Sequence, residues 1–429
     1  MVVRGAEAIV RGDGTVGAGD LVCVDGRVTA TPPPPGTWTT IDASGCVVTP
    51  GLVNAHHHLL QSAFRTLPGT RGVPMRAWLP TMAAAYADAR VDAELTGLAA
   101  GVGVAESLLS GVTTVADHHL TWPDRVDPLG LAQATAAAAT TLGARLVFVR
   151  GTAGDEPQRA AASAAEIADA LAPHAGGVSP DGMLQVAVGP AGIHSDRRET
   201  FDLLAEVARS RGLRRRTQAG EQVDVEVAAR DYDARPLDLL AEWGWLAPDV
   251  TVAHLCGVSD AEIARFAASG ASATHAPGCD VPMGWGVAPA GALLDAGVTV
   301  GLGTSGGGSN DAGHLLADAR LAMQVSPLAG RALAAADALA MATAGSADGL
   351  GRPELGRLTD GSAADLCIWD VGGVADAGVA DPVAGLLWAS PGRRPRTVLV
   401  AGRTVVDGGE LLAADERALA TALHRRVGR

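Results

Sequence analysis

The sequence predicts an α/β protein, a (β/α)8 TIM-like barrel with a small flanking β-sandwich domain built from both chain ends. Over residues 47–303, eight short apolar runs alternate with longer alanine- and leucine-rich helical stretches, as in a closed barrel. At both chain ends, short alternating segments separated by Gly- and Asp-containing turns are typical of a small β-domain. A doubly wound open sheet is the alternative, but no Gly-x-Gly-x-x-Gly turn follows the first strand.

Each predicted barrel strand is a short apolar run followed by a helical pattern. The strands are expected at 47–53, 112–117, 145–150, 184–189, 213–218, 250–255, 271–275 and 298–303. The helical patterns cover 91–110, 128–142, 157–173, 197–211, 222–242, 259–269, 289–296 and 311–349. The expected divisions are 1–48 for the N-terminal part of the β-domain, 49–355 for the barrel, and 356–429 for the C-terminal part of the β-domain with a terminal helix over 410–429. Pro32–Pro35 is expected to form a rigid surface loop.

Composition narrows the classes of partner and of chemistry. The net charge of −14 argues against nucleic acid or an anionic membrane surface as the main partner. All 33 basic residues are arginine, which excludes Schiff-base chemistry on a lysine and a carbamylated lysine as metal bridge. The five cysteines form no Cys-x-x-Cys pair, and no signal peptide or long apolar stretch is present. We therefore expect a cytoplasmic protein with reduced thiols and no membrane span.

The most informative motif is PGLVNAHHHL at residues 50–59, at the end of the first predicted strand. Because side chains alternate along a strand, His56 and His58 share one face and His57 points to the other. Two imidazoles side by side at the C-terminal end of a buried strand make half of a metal site, whereas the alternative is a chance histidine cluster in a loop. In a barrel, the chemistry lies at such strand ends. Other polar residues at predicted strand ends are Asp117–His119, Gln218–Glu221, His254, His275 and Ser305–Asn310.

Several motifs together resemble the amidohydrolase superfamily. They are VTPGLVNAHHH at 48–58, SGVTTVAD at 110–117, MGWGVAP at 283–289, SND at 309–311 and GSAADL at 361–366. Within the superfamily, the pattern is similar to the branch of guanine and 8-oxoguanine deaminases and triazine hydrolases, and most of all to the s-triazine hydrolases. The resemblance covers most of the chain. It implies a hydrolase with one zinc per chain, which is expected to form a homodimer.

The resemblance also implies the chemistry of the site. A zinc-activated water would replace an amino, alkylamino, halide or thioether group on a nitrogen heterocycle of purine, pterin or triazine type. The implied zinc ligands are His56, His58 and His254, and Glu221 matches the glutamate that transfers protons. His254 and Glu221 are thus expected to be catalytic.

Two positions depart from the family pattern. Gln218 stands where relatives have a metal-binding histidine, and Ser305 stands where they usually have an aspartate. A neutral amide oxygen is a poor zinc ligand, so Gln218 is at most a weak one. Three histidines and a water would still complete a tetrahedral catalytic site. Ser305 is expected to orient the catalytic water rather than to act as a base.

Six further side chains are candidates for contact with the substrate. Tryptophans are expected to stack on a flat ring, although core packing is the alternative reading for them. A glutamine three residues after His58 matches one that relatives hold against the heteroaromatic ring, although a surface polar role is the alternative there. The candidates are Gln61, Trp78, His119, His194, Trp285 and Asn310.

The two departures leave three functions open. The first is the zinc hydrolase just described. The second is a metal-free enzyme of the same fold, in which Glu221 performs acid–base chemistry such as an elimination, isomerisation or cyclisation. The third is a non-catalytic protein that binds a small molecule. The sequence does not name the substrate, because fold alone does not determine function.

Overall fold

Short strands form near the start of the chain, where the turn pattern predicts them. The structure is a computed structural model that describes residues 1–12, 14–31, 36, 38–389 and 392–428. The predicted Pro32–Pro35 loop lies outside these residues. The N-terminal strands are β1 (Val2–Arg4), β2 (Ala8–Val10), β3 (Val16–Gly17), β4 (Leu21–Val24), β5 (Arg27–Thr29), β6 (Thr40–Asp42) and β7 (Cys46–Pro50).

The middle of the chain forms a curled, parallel sheet, which confirms the predicted barrel type. Its strands are β8 (Leu52–His58), β9 (Val112–His119), β10 (Arg145–Thr152), β11 (Leu184–Pro190), β12 (Arg214–Ala219), β13 (Val250–His254), β14 (Ser272–His275), β15 (Val300–Leu302) and β16 (Ser305–Gly306). Only Gly303 and Thr304 separate β15 from β16. β15 pairs with β14, whereas β16 pairs with β8. Consecutive stretches of chain therefore form both edges of the sheet, which curls back on itself.

The single strand predicted over 47–53 is in fact two strands. β7 pairs with β2 and with a strand from the C-terminal part of the chain, whereas β8 begins the barrel. Gly51 lies between them, and a Cβ atom there would come within 2.2 Å of the Thr113 side chain. Glycine allows this close approach, so the chain can leave one sheet and enter the other at this point.

Helices follow the barrel strands. They are α1 (Met75–Ala89), α2 (Ala93–Leu109), α3 (Pro128–Leu142), α4 (Pro157–Leu171), α5 (Arg198–Arg211), α6 (Gln222–Tyr232), α7 (Pro236–Glu242), α8 (Asp260–Ser269), α9 (Pro277–Asp280), α10 (Ala290–Asp295), α11 (Leu315–Val325), α12 (Ala335–Ala340), α13 (Ser346–Gly349), α14 (Pro382–Trp388) and α15 (Glu416–Arg426). None of the helices in the described residues is long and apolar enough to cross a membrane.

Local signals explain where these helices begin and end. The side chain of Asp127 caps α3, Pro128 is its first residue, and Gly143 closes it with a φ of 79°, so the predicted and observed bounds agree. The helix predicted over 222–242 is instead two helices. Asp233 adopts a φ of 50° after α6, and Pro236 begins α7.

Two further sheets lie outside the barrel, of which one combines strands from both chain ends and the other consists of N-terminal strands. The C-terminal strands are β17 (Leu366–Asp370), β18 (Thr397–Val400), β19 (Arg403–Asp407) and β20 (Glu410–Leu411). One sheet has the order β20-β19-β18-β17-β7-β2-β3, and the other has the order β5-β4-β1-β6. A common apolar core includes Val3, Leu21, Val48, Leu366 and Leu399. Asp365 beside this core pairs with the buried Arg145 of β10 at 2.7 Å, which ties the sheets to the barrel.

Candidate active site

A cavity of about 920 Å³ lies at the C-terminal ends of the barrel strands. Most of its wall is apolar and includes Met75, Met82 and Tyr86 from α1 and Trp122 from the segment after β9. This size and character are typical of sites that enclose a small organic molecule. Nine of the predicted site residues line it: His58, Gln61, Trp78, His119, His194, Gln218, Glu221, Trp285 and Ser305.

A cluster of imidazoles lies beneath this cavity. The ring centroid of His56 is 4.8 Å from that of His58, 5.2 Å from that of His254 and 5.9 Å from that of His118. His58 donates from Nδ1 to the carbonyl oxygen of His118 at 2.7 Å, which leaves its Nε2 free. His56 Nε2 is buried and has no hydrogen-bond partner. Burial, and then the neighbouring histidines, keep the pKa of His56 and of His58 well below the usual value, so both are neutral, the form that binds metals.

His254 is held on both ring edges. Its Nδ1 donates to Asp280 Oδ1 at 2.6 Å, and its Nε2 donates to Gln218 Oε1 at 3.0 Å. Glu221 Oε1 lies 3.4 Å from the same Nε2. Burial disfavours a charged imidazole, but the Asp280 and Glu221 carboxyl groups outweigh burial and raise the pKa of His254. His254 also adopts a φ of 75°, a conformation that costs energy outside glycine and that clusters at functional sites.

Glu221 is positioned to gain and lose a proton near neutral pH. Its side chain is buried, and Oε2 lies 3.7 Å from His194 Nδ1. Burial, helped by the negative charges of Asp224 and Asp280 and opposed by His254, raises the pKa of Glu221 to about 8. Such a carboxyl group can act as acid or base close to pH 7.

The compact group of metal-ligating atoms in the described residues is not the predicted one. A nitrogen of His254, the thiol of Cys279 and a carboxylate oxygen of Asp280 lie within 4.8 Å of one another. Sequence reasoning missed Cys279 and Asp280, although both follow His275 closely in HAPGCD at 275–280. Adjacent Cys and Asp residues just after a strand end were the available signal.

The loop that contains Ser305, Gly308 and Ser309 is held by two of the predicted residues. Gln61 Oε1 accepts a hydrogen bond from the Gly308 amide at 3.0 Å, and Trp78 Nε1 donates to the Gly308 carbonyl at 3.1 Å. Ser305 adopts a φ of 54°, and its Oγ lies 3.4 Å from Ser309 Oγ. Gln61 and Trp78 therefore shape the wall that carries Ser305.

The other predicted residues differ in how free they are to meet a substrate. Trp285 packs edge-on against His254 at 5.0 Å, and its Nε1 is buried with no hydrogen-bond partner. His119 donates from Nε2 to the Thr121 carbonyl at 3.0 Å. Asn310 is not among the described residues that line the cavity, and its Nδ2 donates to the Thr304 carbonyl at 2.9 Å. Its contact with substrate stays a prediction.

Comparison with known proteins identifies the class. The model of the amidohydrolase family matches residues 47–405, and the chain belongs to this family of hydrolases. An 8-oxoguanine deaminase from Pseudomonas aeruginosa is 33% identical over 98% of both chains. The hydroxydechloroatrazine ethylaminohydrolase of Pseudomonas sp. strain ADP is 31% identical over 90% of this chain and 84% of that one.

A solved structure gives a further comparison. The atrazine chlorohydrolase TrzN from Arthrobacter aurescens TC1, crystallised with zinc, is 32% identical, and the match covers 99% of both chains with a TM-score of 0.93. A mutant of that enzyme, complexed with zinc and atraton, matches with a TM-score of 0.92 and the same coverage. The match therefore extends over the whole fold, including the sheets that both chain ends build.

Proposed function

We propose that this protein is a zinc-dependent hydrolase that replaces an amino, alkylamino, halide or thioether group on a nitrogen heterocycle by water. The observation that supports it most is the buried Glu221, which lies between His254 and His194 at the cavity with its pKa raised to about 8. Hydrolytic substitution on such a ring needs one group that takes a proton from water and returns it to the leaving group. Glu221 is suited to both steps.

The donor set fits a zinc ion. His56 and His58 are neutral, buried imidazoles with a free Nε2, and His254 lies beside His56. We propose that these three residues hold the zinc, with Gln218 as a weak fourth ligand. When bound, zinc supplies Lewis-acid activation of water near neutral pH.

The remaining residues bind, orient and transfer protons. Glu221 accepts a proton from the attacking water and passes it to the leaving group, while His194 beside it keeps the carboxyl group oriented. Trp285 and Trp78 line the part of the cavity in which a flat ring would lie. Ser305 and its neighbour Ser309 offer hydroxyls to the water or to the ring substituents.

The metal-free alternative has one observation in its favour. The hydrogen bond from His254 Nε2 to Gln218 Oε1 occupies the nitrogen that would bind zinc. A metal-free enzyme would use Glu221 for an elimination, isomerisation or cyclisation. The pure binding protein has no such support, because a raised carboxyl pKa is not needed for binding alone.

The experiment that tests the proposal combines metal content with a substrate panel. Protein purified without added metal is analysed for zinc, then stripped with chelator and reconstituted. Each form is assayed with 8-oxoguanine, isoxanthopterin, 5-methylthioadenosine and atraton for loss of the ring substituent. We expect about one zinc per chain and turnover that chelation removes and zinc restores. Full turnover in the stripped protein, or no hydrolysis of any nitrogen heterocycle, would reject the proposal.

Several further expectations also remain proposals. We propose that the two outer sheets form one β-sandwich domain, divided from the barrel as 1–48, 49–355 and 356–429. We propose a cytoplasmic homodimer whose only other partner is the small heterocycle, with neither nucleic acid nor membrane bound. Light scattering coupled to size-exclusion chromatography tests the dimer, and limited proteolysis tests the divisions.

A further inference from the structure

We propose that Cys279 is a ligand of the zinc ion and supplies the anionic donor that Gln218 and Ser305 do not provide. The inference deepens the proposed function and rests on it, because it concerns the same metal. It concerns the short helix α9 after β14, to which none of the sequence motifs pointed.

The geometry brings Cys279 to His254. The Cys279 thiol, a His254 nitrogen and an Asp280 oxygen lie within 4.8 Å of one another, and all three residues are buried. Two ligands of one tetrahedral zinc are roughly 3–4 Å apart, given bond lengths of about 2.0–2.3 Å. The Cys279 thiol and the His254 nitrogen are therefore close to the separation of two ligands of one zinc ion. Because Asp280 already holds Nδ1 of His254, Nε2 is the nitrogen left for the metal.

The charges of the proposed zinc ligands give a physical reason for a thiolate at this site. Three imidazoles and the amide of Gln218 are all neutral, and Ser305 brings no carboxylate. Nearby, Arg216 is buried with Nε and Nη1 unpartnered, and its remaining hydrogen bond goes to the Ala55 carbonyl. The carboxyl groups of Asp280 and Glu221 lie next to His254 but are not among these ligands, so the donor atoms themselves bring no negative charge to a dication. A thiolate removes one charge and is a donor that zinc prefers.

An unsatisfied buried atom also lies at this place. His56 Nε2 has no hydrogen-bond partner, although His56 is only 1% exposed. Buried polar atoms without a hydrogen-bond partner are rare, and a neutral imidazole nitrogen of this kind can bind a metal ion. The Cys279 thiol also lies within hydrogen-bonding reach of Ser305 and Ser309, and it lines the cavity. It is therefore beside Ser305, which stands where relatives usually have an aspartate.

Binding to zinc would remove the proton of the Cys279 thiol and would change no oxidation state. Burial raises the pKa of Cys279, so the group is a thiol before metal arrives. On binding, the S–H bond breaks, a sulfur–zinc bond forms, and one proton leaves to solvent. No oxidant or reductant is needed.

The test uses cobalt(II) in place of zinc in the full-length protein. A thiolate ligand gives a sulfur-to-cobalt charge-transfer band in the near ultraviolet, whereas nitrogen and oxygen ligands do not. The variants are Cys279→Ser and two matched controls, Cys256→Ser and Cys367→Ser, which remove buried thiols that do not line the cavity. Zinc affinity is measured in parallel by competition with a chromophoric chelator.

We expect the band in the wild type and in both controls but not in Cys279→Ser, together with at least a tenfold loss of zinc affinity in that variant. A wild-type cobalt spectrum with ligand-field bands and no charge-transfer band overturns the proposal without any variant, and leaves the zinc hydrolase standing. A band that Cys256→Ser removes instead also overturns it. Failure to bind either metal overturns both this inference and the zinc-dependent function.

Discussion

Two short segments hold opposite edges of His254, and they differ in charge state. Residues 218–221, at the end of β12, face Nε2 with the amide of Gln218 and the carboxyl of Glu221. Residues 275–280, after β14, face Nδ1 with the carboxylate of Asp280. Glu221 lies on the cavity side of the imidazole, where proton transfer would occur, whereas Asp280 lies behind it.

The carboxyl groups of Glu221 and Asp280 show that burial alone does not determine the pKa of a buried acid. Burial raises the pKa of Glu221 to about 8, because no donor bonds it closely enough to offset the loss of water. Burial acts on Asp280 in the same direction, but His254, with a smaller contribution from His275, outweighs it and lowers the pKa of Asp280 to about 2. Asp280, which has a 2.6 Å hydrogen bond to an imidazole, therefore stays charged near neutral pH. Glu221 has no such bond and can exchange protons.

The largest effect is expected on turnover, from Glu221→Gln on the cavity side of His254. The amide keeps the shape but cannot transfer a proton, so we expect turnover to fall by about 10³-fold or more. Zinc content should not change, because Glu221 is not a proposed ligand. The matched control is Glu226→Gln, an exposed glutamate on α6. An active Glu221→Gln enzyme would mean that another group moves the proton.

Behind the imidazole, Asp280→Asn should weaken metal binding rather than remove the proton carrier. Loss of the charged partner of a ligating histidine typically costs about 10–100-fold in metal affinity. Competition titration with zinc measures it, with the exposed Asp202→Asn as control. An unchanged zinc affinity would show that Asp280 does not position His254.

The 275–280 segment is itself held by Asp318, whose ionisation should make stability depend on pH. Asp318 Oδ1 accepts a hydrogen bond from the Gly278 amide at 2.8 Å. Burial, together with the charge of Asp280, raises the pKa of Asp318 to about 7, against about 3.9 in an unfolded chain. A raised carboxyl pKa adds stability that is complete below about pH 4 and is lost as the pH rises through about 7.

We therefore expect the wild type to lose stability relative to Asp318→Asn between pH 4 and 8. The pKa difference sets a ceiling of about 4 kcal/mol, and we expect roughly half of it. Denaturant unfolding at several pH values measures the difference between the two slopes, which removes any constant cost of the substitution. Parallel curves for the two proteins would contradict the prediction.

The smallest effect is expected from Gln218→His on the cavity side. An imidazole nitrogen is a better zinc donor than an amide oxygen, so zinc affinity should rise by roughly tenfold. Gln222→His, at the exposed start of α6, controls for an added surface histidine. If the zinc affinity does not rise, the residue at position 218 is outside the metal's coordination shell. Segments 218–221 and 275–280 would then differ less in their contact with the metal than we propose.

Much of the architecture followed from local signals. The caps of α3 and the alternation of apolar runs and helices depend on residues close in sequence, and those predictions were confirmed. The shared face of His56 and His58 follows from strand alternation in the same way. The division of the predicted strand 47–53 into β7 and β8 could not be predicted from the sequence. A continuous apolar run has the same pattern whether it pairs with one sheet or with two.

By itself, the sequence determined the barrel, the strand ends that carry polar residues, and the position of Glu221 beside the histidines. Only the tertiary structure decided that Asp280 and Cys279 reach His254 and that Gln218 bonds its other nitrogen. The physical reason is the same in each case. Alternation and propensity act along one chain segment, whereas these contacts join side chains from different strand ends, whose separation depends on how the sheet curls and packs.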